Sequence, residues 1–327
     1  MRAVVESLEE SRIREVANAG MGLPDVLKFW FGESDEVTPD VVREAAVASL
    51  QAGETFYAHN LGLPELRQAI AAYTHGLHPQ QSTDHWFDRI AVTSGGVNGL
   101  MLASQTLVEA GDRVVVVTPA WPNLVAQPLI MGAEVTRVPL SVADSGAWVL
   151  DLDALLAAIT PATRLLILNA PNNPTGWTLT RAEQAAILAH CRRTGTWILA
   201  DEVYQENVYR PGDRFVSFAS VLERKQVNDL SLFSFHSCSK GYLGECGHRG
   251  GYLECRNVPQ DVADEITKLQ SVSLCSNLPG QVATYCLVTP PRPGEASHAK
   301  WKQERDHILS ELRTRAALLA EGLNRIP

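Results

Sequence analysis

The sequence predicts an α/β protein with a mostly parallel sheet covered by helices on both faces. Three observations carry that expectation. Short apolar runs alternate with amphipathic runs of helical period through the middle of the chain; 45% of the 327 residues are hydrophobic, enough for a substantial core; and the turns after the strand-like runs hold most of the chemically distinctive side chains. Alternating strands and helices imply crossover connections, which bury both faces of a parallel sheet and leave the carboxyl ends of its strands for a ligand.

Taken in order, residues up to about Phe31 read as an arm, with 26–31 extended and ending at Gly32. Thr38 and Pro39 read as the N-cap and first position of a helix reaching about Leu50. Residues 55–62, TFYAHNLG, form an irregular loop; Pro64 opens a helix through Leu66, Ile70 and Tyr73; and 75–88 reads as a polar loop. Strand-like runs follow at 89–93, 113–118, 134–140, 164–169, 197–200 and 230–235, with helix-like runs at 97–107, 124–131, 152–159 and 181–193. The last helix has a capping box, Thr180 with Glu183, and a stop at Gly195. Beyond Tyr252, 262–270 is helical, 290–293 is a stiff proline-rich connector, and 297–324 is one long amphipathic helix with Trp301, Ile308, Leu312, Leu319 and Leu323 on its apolar side.

Composition excludes several classes of function. With 28 basic and 37 acidic residues, a net charge of −9 and no basic block, nucleic acid is not an expected partner. The charged N-terminus lacks a signal core and no apolar run could span a bilayer, so a soluble, cytoplasmic protein without membrane partners is expected. Six cysteines without a C-x-x-C pair read as buried free thiols, and nine histidines without H-E-x-x-H indicate no metal site.

The chemistry gathers around residues 234–252, SFHSCSKGYLGECGHRGGY. An apolar strand ends in Ser237, Ser239 and Lys240, with Arg249 following among glycines. A lysine amine can form a Schiff base with a carbonyl, while hydroxyls and a guanidinium can hold a phosphate. The other strand ends complete the set. Gly95, Gly96 and Val97 open a helix, where small residues and free N–H groups suit an anion as well as they suit a tight turn. Trp121, between Pro119 and Pro122, is either core filler or a flat face for a ring. The turn at 169–176, NAPNNPTG, offers the Asn173 amide, though paired reverse turns explain its composition equally. Asp201 at the end of an apolar strand is costly to bury without a cation, unless it serves as a helix cap, and Tyr204 follows it.

Pyridoxal phosphate uses all of these groups at once: an aldehyde for Lys240, a phosphate for Ser237, Ser239, Arg249 and the Gly95–Gly96–Val97 turn, a pyridinium for Asp201, a ring for Trp121, and a phenolic oxygen for Asn173 and Tyr204. A dinucleotide is disfavoured because the G-x-G-x-x-G spacing is missing.

The motifs NNPTG (172–176), DEVY (201–204) and SCSK with the downstream HRGGY, in this order, resemble those of the class I/II aminotransferases, fold type I pyridoxal-phosphate enzymes. The resemblance runs from about Gly22 to the end. TPAWPNL and APNNPTGWTL are most similar to bacterial aspartate or aromatic-type members, whereas DEVYQENVY and the lysine segment are most similar to alanine aminotransferases. It implies a three-layer α/β/α large domain over 51–290, an arm and part of a small domain over 1–50, and the start of a C-terminal small α+β domain over 291–327, cut short at Pro327 before the family's carboxylate-binding arginine. It further implies catalytic roles for Lys240 as the Schiff-base lysine, Asp201 and Tyr204; substrate contacts from Gly32, Trp121 and Asn173; and a homodimer in which Tyr57 reaches the phosphate of the neighbouring subunit. The expected activity is transfer of an amino group between an L-amino acid, alanine or glutamate in type, and a 2-oxo acid. The alternatives are a β-lyase or decarboxylase of the same fold, and a cofactor-binding homodimer impaired in catalysis.

Overall fold

The computed structural model describes residues 2–33, 35–79, 81, 86–208, 215–240 and 244–326. Part of the expected polar loop (80 and 82–85), Tyr209 of DEVYQENVY, residues 241–243 of the lysine segment and Pro327 lie outside the described residues. Nine strands are present among the described residues: β1 (Ile90–Ser94), β2 (Arg113–Thr118), β3 (Glu134–Pro139), β4 (Ser141–Val142), β5 (Trp148–Val149), β6 (Thr163–Asn169), β7 (Trp197–Asp201), β8 (Leu232–Ser237) and β9 (Gly250–Arg256). The helices are α1 (Ala3–Glu6), α2 (Arg12–Gly20), α3 (Asp40–Gln51), α4 (Pro64–Leu77), α5 (Trp86–Arg89), α6 (Gly96–Leu107), α7 (Asn123–Met131), α8 (Leu152–Ala158), α9 (Arg181–Thr194), α10 (Phe218–Arg224), α11 (Gln260–Ser273), α12 (Leu278–Val288) and α13 (His298–Leu323).

Seven strands form one sheet in the order β1-β9-β8-β7-β6-β2-β3; β4 and β5 make a separate hairpin. Pairing is parallel from β8 through β7, β6 and β2 to β3, while β9 runs antiparallel to both β1 and β8. Successive residues of the central strands go to opposite faces. Val115, Val117, Leu166, Leu168, Ile198 and Ala200 meet the side formed by α8, α9 and α10. Val114, Val116, Leu165, Ile167 and Leu199 meet α6, α7 and α11. Burial on both faces explains why these strands read as unbroken apolar runs.

The parallel scaffold and its helices match the sequence expectation to within a residue or two, including the capping box at Thr180 and the left-handed Gly195 stop of α9. Three readings need correction. Thr38 does not cap α3: Pro39 occupies the N-cap position without a side-chain bond, and the Thr38 hydroxyl instead donates to Glu245 Oε2 at 2.7 Å. A tertiary acceptor has displaced the local one. The loop expected over 75–88 is shorter, because α4 continues to Leu77 and residues 86–89 form α5. The long helix has its apolar side covered only in its first half, where Ile308 packs near Val42 and Leu287; Leu319 and Leu323 are 49% and 62% exposed.

Strand β9 and helices α10 and α12 carry little sequence signal. Strand β9 contains Glu254 and Arg256, residues that argue against a buried strand. It is buried because charges pair inside the protein: Arg89 Nε and Arg256 Nη2 donate to Glu254 Oε1 at 2.9 and 2.6 Å. Helix α10 is short, and α12 is apolar on all sides, so neither shows a helical period. Three cysteines, Cys191, Cys238 and Cys255, are buried, while Cys246, Cys275 and Cys286 are half-buried; all six are free thiols. Among the described residues no helix is long and apolar enough to cross a membrane, and no cluster of His, Cys, Asp or Glu could hold a metal ion.

Candidate active site

The distinctive residues converge at one edge of the sheet, at the carboxyl ends of β1, β6, β7 and β8. Antiparallel β9 starts at that edge, which is how Arg249, immediately before it, enters the site.

Lys240 follows the end of β8, and its Nζ donates to the Gly32 carbonyl at 2.6 Å. Two residues 208 apart in sequence thus meet, bringing the N-terminal segment over the sheet edge. The amine also lies 5.8 Å from the centre of the Tyr204 ring.

Asp201 ends β7 at 3% exposure. Burial pushes its carboxyl up to about 7, against the opposing effects of the Val203 N–H, which donates to Oδ1 at 3.3 Å, and the nearby Lys240 charge. A buried carboxylate with so little compensation calls for a cation. Tyr204 is pushed up to about 12 by burial and by Asp201, with the Asn173 side chain acting in the opposite direction.

A cradle for an anion lies beside them. Gly95 is the N-cap of α6 at φ 79°, and no side chain caps that helix; the Asn98 N–H turns back to the Gly95 carbonyl, and the Gly96 and Val97 N–H groups are left for a ligand. A Cβ at Gly95 would overlap the Arg249 guanidinium. Arg249 adopts a left-handed conformation (φ 55°) and is held by the Cys246 carbonyl at 2.9 Å from Nη1, with Ser239 Oγ and the Ser94 carbonyl both 3.4 Å from its guanidinium nitrogens. Ser237 Oγ accepts from the Ser239 N–H at 3.0 Å, placing both hydroxyls in the same turn. A Cβ at Gly96 would sit 3.4 Å from the Ser237 Cβ, so this turn packs directly on the start of α6.

These residues fit pyridoxal phosphate. A cradle of glycines with a guanidinium and two hydroxyls suits the phosphate, and a buried acid short of a cation suits the ring nitrogen. Trp121 is half-buried in the loop after β2, leaning on the core side of α6 and α7. Tyr57 stands apart: it is 84% exposed, and its neighbour Phe56 is 85% exposed.

Several supporting residues escaped the sequence reading. Asn169, at the end of β6, bonds both the Asp201 carbonyl and the Asn173 N–H. Asn172 ties the same turn to the next strand end, its Nδ2 donating to the Pro119 carbonyl at 3.2 Å and its Oδ1 accepting from the Thr175 hydroxyl at 2.7 Å. Glu202, 1% exposed, accepts from the Phe218 N–H at 2.8 Å and the Ser217 hydroxyl at 2.7 Å, so it anchors the start of α10; burial pushes it up to about 8. The available signal was the same in each case: a polar residue at the end of an apolar strand needs a partner.

Known proteins share both sequence and shape with this chain. Residues 24–327 match the model of the family "Aminotransferase class I and II". Alanine aminotransferase 1, mitochondrial, of Arabidopsis thaliana is 37% identical over 279 residues, 83% of this chain and 50% of that protein. Glutamate–glyoxylate aminotransferase 1 of the same plant is 34% identical, covering 82% of this chain and 57% of its own length. The chain therefore spans about half the length of these relatives. Among solved structures, the aspartate aminotransferase of Rhizobium meliloti superposes with a TM-score of 0.83 at 26% identity, over 100% of this chain and 77% of that one.

Two glycines of the cradle differ in what a side chain would meet. At Gly251 a Cβ would lie 2.6–2.8 Å from backbone atoms of Gly95 and Gly96, which cannot move without parting β9 from β1. At Gly95 it would meet the flexible end of Arg249. Gly251→Ala is expected to lower unfolding stability by roughly 3 kcal/mol or more, and Gly95→Ala by about 1–2 kcal/mol while weakening phosphate retention. Denaturant titration of the two variants, with equal losses as the contrary outcome, checks the difference.

Proposed function

The chain belongs to the class I and II aminotransferases, and on that premise we propose that it is a pyridoxal-phosphate-dependent aminotransferase exchanging the amino group of alanine or glutamate with a 2-oxo acid. The observation that carries the proposal is the meeting of Lys240, buried Asp201 and the Gly95–Arg249 cradle at one sheet edge.

Each residue has a task in this reading. Lys240 would be the attachment point for the aldehyde, and its free amine would move the proton of the substrate α-carbon. Asp201 would keep the ring nitrogen charged. Tyr204 and Asn173 would hold the phenolic oxygen, Trp121 would offer the ring a flat face, and Arg249, Ser237, Ser239 and the start of α6, including Val97, would hold the phosphate. Gly32 leaves room above Lys240, since a Cβ there would stand 3.4 Å from Nζ. Gly32, Trp121 and Asn173 line the side from which the substrate approaches. When bound, the cofactor supplies an electron sink for the carbanion at the α-carbon.

Purified protein with the cofactor is expected to show a visible absorption band that alanine alters, and to form more than one equivalent of pyruvate per site from alanine only when a 2-oxo acid is present. Lys240→Ala should abolish the band and lower turnover by on the order of 10³-fold or more. A band indifferent to every amino acid would sink the transferase reading and keep the cofactor; sustained turnover independent of 2-oxo acid would indicate a lyase or decarboxylase.

Asp201 gives a pH dependence. Its carboxyl is raised to about 7 in the unloaded protein, and only the ionised form pairs with a cationic ring, so cofactor affinity should fall as pH drops through about 7. In Asp201→Asn this dependence should flatten, with affinity lower throughout. An unchanged slope in the variant, measured by equilibrium dialysis, would contradict the role.

A homodimer completed by Tyr57 is also part of the proposal. Support comes from apolar side chains left uncovered in the N-terminal segment and beside Tyr57, with Leu27, Phe29 and Val37 at 78%, 76% and 72% exposure and Phe56 at 85%. Sedimentation equilibrium should give twice the chain mass, and Tyr57→Phe should weaken cofactor retention without dissociating the dimer. A monomer would remove this part.

A further inference from the structure

Asn169 is 2% exposed, and both ends of its amide are committed to backbone. Its Nδ2 donates to the Asp201 carbonyl at 3.2 Å, and its Oδ1 accepts from the Asn173 N–H at 2.6 Å. Because a backbone carbonyl can only accept and a backbone N–H can only donate, these partners fix which way the amide points. The Asn173 side chain lies close enough to the Tyr204 hydroxyl to oppose the rise in its pKa, and Tyr204 lies three residues after Asp201. Asn169 thus links the turn to the neighbouring strand end, holding the Asn173 N–H on one side and the Asp201 carbonyl on the other. The link spans the ends of β6 and β7, where Asn169 and Asp201 are register partners.

The strand pairing does not require this amide. The Ala170 N–H already donates to the Asp201 carbonyl at 3.1 Å, so the ladder is complete without it. What the amide adds is the bond to Asn173. Asn172 fastens the same turn from the other side, to Pro119, but its bonds leave the Asn173 N–H untouched. An aspartate at 169 would keep the acceptor and lose the donor; an alanine would lose both.

We propose that Asn169 is a positioning residue for the phenolic side of the cofactor: through the Asn173 N–H it fixes Asn173 against the Asp201 end of β7. The proposal rests on the aminotransferase reading. Asn173 and Tyr204 stabilise the ionised phenolic oxygen by hydrogen bonding, so loosening Asn173 makes the visible band of the loaded enzyme titrate at higher pH.

Spectrophotometric titration of that band tests it. Asn169→Ala is expected to raise the midpoint by about half to one pH unit, in the same direction as Asn173→Ala. The double variant should shift no further than Asn173→Ala alone, because one residue acts through the other. An unmoved midpoint in Asn169→Ala, or shifts that add in the double variant, would overturn the role. Hydrogen exchange on the unsubstituted, unloaded chain tests the bond itself and stands even if Asn169→Ala fails to fold. The Asn173 amide should exchange on the order of 10²-fold slower than an open loop amide, and exchange at the open-loop rate would overturn the proposal. A wild-type chain showing no band at all would defeat the aminotransferase reading instead, and the exchange rate alone would then decide whether Asn169 holds Asn173.

Discussion

The close approach of Gly251 to Gly95 and Gly96 is the contact on which the site depends. Strand β9 runs between β1 and β8 with Gly251 opposite Thr93 on one side and Ser237 on the other. No side chain would fit between that backbone and the turn into α6. The consequence is chemical: the reversed strand brings Arg249 beside the α6 N-terminus, and places both one strand away from Lys240. An all-parallel sheet would put the start of that strand at the opposite edge.

The remainder of the site follows from the cost of burying charge. Asp201 and Glu202 are adjacent in sequence and both buried, yet their carboxyls are treated differently. Glu202 is answered within the fold, by the Ser217 hydroxyl and the Phe218 N–H, and so becomes a hinge between β7 and α10. Asp201 is answered only by a backbone N–H and the nearby lysine. At the other end of β9, Glu254 and Arg256 are matched by Arg89, Glu223 and Gln81. What separates the two acids is the donors around them: Glu202 has a hydroxyl and a backbone N–H from its own fold, whereas Asp201 has one backbone N–H and a side turned toward the candidate site.

The asparagine-rich turn after β6 shows how support and function can share one motif. Three asparagines lie within five residues, and among them Asn173 is the one that acts on the Tyr204 hydroxyl. Asn169 and Asn172 satisfy backbone groups of the neighbouring strand ends. Composition marks all three as turn formers without ranking them, since the same amide can serve a turn, a strand end or a ligand.

The parallel core was legible in the linear sequence, and the side chains proposed for the site stood out in it. Strands such as RVVVVT and RLLILN are apolar because both their faces are covered, and Lys240, Asp201 and Asn173 stand out as polar residues at the ends of such runs. These are local signals, set by burial and turn chemistry. Strand β9 was not legible, because the arginines that neutralise Glu254 lie at 89 and 256, one of them 165 residues away. Thr38 was misread as a cap because its acceptor, Glu245, is 207 residues distant. Which polar residues are answered by the fold, and which are left for a ligand, depends on neighbours that meet only when the sheet closes; that was decided by the tertiary structure alone.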